Sequence, residues 1–91
     1  GQPITADSLR RVDRAEEKLT QLGFETCRVR DHGGVARIEV PRDQLPRLVE
    51  HMEPIVKTLK GLGFIYVTAD LQGFRSGSMN ENLAKNARMT K

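Results

Sequence analysis

The chain reads as a small α+β domain, an open α-β-β-α-β sandwich with a three-stranded sheet and helices on one face. Three observations predict it. Apolar residues recur at helical spacing in two separate segments. Between those segments, the run Phe24–Val40 alternates apolar and charged residues about a glycine pair, which is the pattern of a β-hairpin. After the second helical segment, Phe64–Ala69 is a short β-branched and aromatic run bounded by Gly63 and Asp70, as a strand should be.

The first helix starts near Ala6, with Thr5 as N-cap and Asp7 and Ser8 in the first turn, where negative charge meets the helix dipole. Leu9, Val12, Ala15, Leu19 and Leu22 form its apolar stripe, Arg10, Arg11, Arg14, Glu17 and Lys18 point away, and Gly23 ends it. Glu16 borders the stripe and on its own reads as a solvated glutamate. In the hairpin, Cys27, Val29, Ala36, Ile38 and Val40 share one face; Arg28, Arg30, Arg37 and Glu39 share the other. Asp31–Gly34 is the turn, with two glycines available for positive φ. Pro41 ends the second strand. Asp43 begins the next helix, with Pro46 tolerated in its first turn and Leu45, Leu48, Val49 and Met52 buried. Pro54 breaks or kinks it, so a further segment runs from about Glu53 with Ile55, Val56, Leu59 and Leu62 inward, stopped by Gly61 and Gly63. In the third strand Ile65, Val67 and Ala69 take the core face. Leu22-Gly23-Phe24 and Leu62-Gly63-Phe64 each close a helix and open a strand. The order of strands in the sheet does not follow from the sequence.

The pattern dissolves at Leu71. Gly73, Arg75, Ser76, Gly77 and Ser78 could form a backbone-rich anion cradle, or simply a loop. Residues 1–81 are read as one domain and 82–91 as a frayed helix or disordered tail.

A chain of 91 residues supports one thin core, which disfavours an elaborate enclosed active site. The net charge of +3 favours anionic partners, but it comes from 15 basic and 12 acidic residues without a block of one sign. One cysteine excludes an internal disulfide framework and fits the cytoplasm. No apolar run approaches a membrane span. His32 and His51 lack zinc-ligand spacing, and Gly33-Gly34 matches neither phosphate-binding glycine motif. Serines occur only at the helix start and in the tail loop, so no nucleophilic triad can be argued. Cys27, placed on the apolar face, reads as a buried and inert thiol. What remains is a binding or assembly domain. Three guanidiniums on one stiff face suit phosphate or carboxylate; the bland reading is an ordinary charged solvent face, whose cross-strand pairs are worth only ~0.2–1 kcal/mol. A small basic nucleic-acid-binding module is the alternative, weakened because the hairpin's one ring is Phe24, whereas sheet-face RNA readers stack bases on exposed rings.

Over Ile4–Glu81, at Leu22-Gly23-Phe24, Arg28-Val29-Arg30, His32-Gly33, Ala36–Val40, Leu62-Gly63-Phe64, Tyr66-Val67 and Asp70–Asn80, the chain resembles the C-terminal domain of LarE-type ATP-dependent sacrificial sulfur transferases. The resemblance implies an N-terminal PP-loop ATP pyrophosphatase domain, ATP and Mg as cofactors of that domain, a homo-oligomer in the full-length form, and a role in nickel-pincer nucleotide assembly. It also implies an anionic pyridinium mononucleotide as substrate, with no membrane partner. By position it carries over Arg28 and Arg30 as receivers of the substrate phosphate, Glu16 and Glu39 as contacts to a divalent metal, and Arg75 and Ser76 from an Arg-Ser-Gly-Ser loop. Arg37 is added to the phosphate set from the hairpin argument. The family's ATP loop and donor cysteine have no counterpart in these residues, and Cys27 is not that cysteine. The fragment alone is therefore expected neither to bind ATP nor to donate sulfur.

Overall fold

The computed structural model describes residues 6–74. Its elements are α1 (Ala6–Gln21), β1 (Arg28–His32), β2 (Val35–Glu39), a 3-10 turn (Arg42–Gln44), α2 (Leu45–Glu50), α3 (Met52–Gly61) and β3 (Tyr66–Ala69). The sheet order is β1-β2-β3, with β1 antiparallel and β3 parallel to β2. This is the α+β sandwich expected, and the strand order now follows from the structure. Val29, Ala36 and Ile38 meet Ala15, Leu19, Leu48, Ile55 and Leu59 in one core, so the helices cover a single face. Among the described residues no helix is long and apolar enough to cross a membrane.

Two helix ends use the same device. At α1, Phe24 N–H donates to Leu19 O (3.0 Å) and Gly23 N–H to Thr20 O (2.9 Å), with Gly23 at φ 103°. At α3, Phe64 N–H donates to Leu59 O (3.3 Å) and Gly63 N–H to Lys60 O (3.0 Å), with Gly63 at φ 111°. Both are Schellman caps, in which positive φ favours glycine and the next residue packs back on the last helical turn. Leu-Gly-Phe is therefore a cap read twice. Phe24 and Phe64 are buried by it. Each ring is also covered by an arginine from another helix: the Arg47 guanidinium lies 4.5 Å from Phe24 and that of Arg11 5.1 Å from Phe64.

The hairpin turn is Gly33-Gly34, both at positive φ, which suits a two-residue turn matched to strand twist. Asp31 belongs to β1 and holds the turn from there, its Oδ1 accepting Gly34 N–H at 2.8 Å. Arg11 donates to the other oxygen through Nη2 (2.7 Å) and Nε (3.1 Å). Arg11 thus does not point away from the core side as its position suggested; it ties α1 to the hairpin.

Several burial expectations change. Leu9 is 55% exposed, and Val49 and Met52 are 57% and 56% exposed, because α2 spans only six residues and buries Leu48. The helix break falls at His51, and Pro54 sits harmlessly in the first turn of α3. Ile65 is exposed: it precedes β3 and lies against Gly34, while Phe64 takes the core position. The expected N-cap Thr5 and the tail lie outside the described residues.

Asp31→Ala should lower unfolding stability by about 2–3 kcal/mol, since it leaves the part-buried Arg11 guanidinium and Gly34 N–H without their acceptor. Urea denaturation should show this as a lower midpoint at unchanged slope.

Candidate anion-binding face

The register sorts the open face of the sheet into rows. Arg28 lies opposite Glu39; Arg30 opposite Arg37, which in turn neighbours Thr68; His32 opposite Val35, which neighbours Tyr66. Directly opposed residues share a face, so the alternation places Arg28, Arg30 and Arg37 together, away from the helices.

Glu39 organises them. As part of the central strand it is 8% exposed, and its carboxylate receives Arg37 Nη2 at 3.0 Å and Arg30 Nε at 3.5 Å. A carboxylate this sheltered is stable only when paired, so it draws both guanidiniums in over the sheet. Their outer edges stay available, the two arginine side chains being 49% and 42% exposed. Arg28 is exposed and forms no ion pair among the described residues. Arg37 Nε is buried and has no hydrogen-bond partner among them. Three positive charges and one negative leave this face with a surplus of two, held on rigid strands.

Glu16 sits elsewhere. Its Oε2 accepts Val29 N–H at 2.9 Å, and because Val29 is on an edge strand, this caps an outward-facing N–H of β1. Glu16 and Glu39 thus engage different donors, and among the described residues no group of three or more His, Cys, Asp or Glu is placed to hold a metal ion. The arrangement does not fit a cation shared between these two glutamates. Cys27 is half-buried rather than buried; its thiol contacts Glu16 O at 3.8 Å. Burial, and secondarily the Glu16 charge, push its pKa up despite a hydrogen bond with Thr20. Arg75 and Ser76 lie outside the described residues.

Tyr66, Thr68 and His32 complete the face and escaped the sequence reading of the site. Alternation sets Tyr66 and Thr68 opposite to Val67, but only the pairing of β3 with β2 puts them beside the arginines.

No family model matches the chain. It is 45% identical over 85 residues, 93% of its length, to the pyridinium-3,5-bisthiocarboxylic acid mononucleotide synthase of Lactiplantibacillus plantarum. This is similarity to part of a mononucleotide synthase. The matched region is 31% of that protein. An uncharacterised protein of Synechocystis is 42% identical over 87 residues, again 93% of the chain and 32% of the relative, and one of Methanocaldococcus jannaschii is 33% identical over 73 residues, 80% of the chain and 29% of the relative. The chain spans about a third of the length of the curated relatives it matches. The relative with a functional name is of the LarE kind that the sequence resembles.

Cys27 should react with a thiol reagent more slowly than the same cysteine in urea-unfolded chain at pH 8, because burial keeps it protonated above its ordinary range. The difference should shrink as pH rises through the folded pKa, and native labelling at the unfolded rate would contradict it.

Proposed function

We propose that the chain is the C-terminal, substrate-side part of an ATP-dependent sulfur transferase of nickel-pincer nucleotide assembly, and that its arginine face receives the phosphate of a pyridinium mononucleotide. The observation that carries the reading is the clustering of Arg28, Arg30 and Arg37 on one sheet face, with Glu39 fixing two of them. The identity to a mononucleotide synthase supports the substrate class.

In this reading Arg28 takes the phosphate with its unpaired fork, and Arg30 adds its outer edge from two residues along the same strand, about 7 Å away. Arg37, tied more closely to Glu39, raises the local potential. Each charge-assisted contact is worth roughly 1.5–3 kcal/mol, and association costs consume much of it, so a free mononucleotide should bind at about 1 mM. Adenylylation by ATP with Mg and the sulfur donation belong to the PP-loop part that the family joins to such a domain. No step runs through a metal at Glu16 and Glu39. The face carries the exposed rings of Tyr66 and His32 in one row, and the two arginine rows beside it hold no ring, so the face lacks the series on which RNA readers stack successive bases.

Titration with inorganic phosphate and with nicotinic acid mononucleotide, followed by amide shifts, should move β1 and β2 resonances around Arg28, Arg30 and Arg37. Arg28→Ala/Arg30→Ala should weaken both at least tenfold without changing the fold. Shifts elsewhere, or an unaltered affinity in the double variant, would remove the site from this face.

A further inference from the structure

Beyond its arginines the open face of the sheet ends in a row of different chemistry. His32 on β1, Val35 on β2 and Tyr66 on β3 lie side by side across the strands. Both rings are exposed, Tyr66 by 64%, and the half-buried Val35 stands between them. The positions of β3 that pack on the core are Val67 and Ala69, so the Tyr66 ring has no part in holding the fold. Phe24 and Phe64 each lie under a guanidinium, whereas among the described residues no cation and no other ring covers Tyr66.

Charge on the face is sorted along the strands. Glu39 stands on the far side of Arg37 from Val35, and it draws the heads of Arg30 and Arg37 away from the Tyr66 row. Positive charge gathers at one end, and the electron-rich face of a phenol is left open at the other. One row of the sheet, about 7 Å along the strands, separates Tyr66 from Arg30 and Arg37. The diagonal from Arg37 to Tyr66 is one that long side chains can bridge.

We propose, on the reading of the arginine face as a phosphate receiver, that Tyr66 is the ring-binding half of the same site. It stacks a cationic pyridinium while the arginines hold the phosphate of that mononucleotide. A ligand with a cationic ring at one end and an anionic phosphate at the other matches the order of charge along the face, and its ribose spans the row between. The pyridinium meets a ring quadrupole that favours cations, with Val35 as an apolar floor beside it and the guanidiniums turned toward Glu39. A neutral base gains only ordinary stacking there. Tyr66 therefore selects pyridinium nucleotides over those with uncharged rings, a choice that the phosphate contacts cannot make.

Tyr66 is the one tyrosine of the chain, so its ring protons can be followed individually by NMR. Nicotinamide mononucleotide should shift them upfield together with the amides around Arg28, Arg30 and Arg37, and inorganic phosphate should move the amides alone. The reduced mononucleotide, whose dihydropyridine ring is uncharged, should bind about threefold more weakly than the oxidised form. Tyr66→Leu should weaken the oxidised form about threefold, remove the difference between the two forms and leave the affinity for inorganic phosphate as it was. Tyr66→Phe, which keeps a ring, should restore the difference. At so exposed a position neither variant should change the circular-dichroism spectrum. Equal affinity of the wild type for the two forms, or a difference that survives in Tyr66→Leu, overturns the ring site; if phosphate still moves β1 and β2, the phosphate reading stands. Tyr66 ring shifts without any response at Arg28, Arg30 and Arg37 would sink the phosphate reading instead and keep the ring site. A mononucleotide that moves neither overturns both.

Discussion

The fold depends on how α1 and α3 are allowed to end. Each must stop and turn toward a strand, β1 beginning at Arg28 and β3 at Tyr66, and each does so through a glycine at positive φ whose neighbour is a phenylalanine driven into the core. The space where a Cβ would stand is also claimed: a methyl on Gly23 would collide with Arg47 Nη2, and one on Gly63 would lie 3.3 Å from Arg11 Nη1. Arg47 Nη2 donates to Leu22 O (2.9 Å) and Nη1 to Gly23 O (3.1 Å), while Arg11 reaches on to Asp31. Glycine, aromatic ring and guanidinium form one unit at each helix end, and the units cross-link helices that are distant in sequence.

That arrangement divides the sheet into two surfaces of different chemistry. With all helices held over Val29, Ala36 and Ile38, the opposite face is left to arginine. The charge there is organised by its counter-ion: Glu39 is sheltered by its place in the middle strand and fixes Arg30 and Arg37 before any ligand arrives. Preorganisation of this kind reduces the ordering cost that long, flexible arginines otherwise impose on binding.

Alternation alone assigned Arg28, Arg30, Arg37 and Glu39 to one face, since strand geometry admits no other division, and the two helical stripes gave the element order. Local rules could not reach further. The burial of Glu39 and the arrival of Tyr66 beside the arginines both follow from β3 lying next to β2, a pairing across some thirty residues that no local pattern encodes. Arg11 was misplaced for a related reason, because its partners Asp31 and Phe64 come from the hairpin and from beyond α3. Val49 and Met52 match a helical stripe, but among the described residues no element covers their side of the molecule.

The middle strand also joins two pairings of unequal entropy. β1 and β2 close through a two-residue turn, so their ladder costs little chain freedom to form. β3 pairs with β2 across some thirty residues of intervening chain, a longer loop to close, and it brings four residues whose outer margin pairs with no strand among the described residues. Of the two ladders, the one between β2 and β3 therefore costs more chain freedom to close, and a group seated along the outer margin of β3 would favour the paired state by mass action.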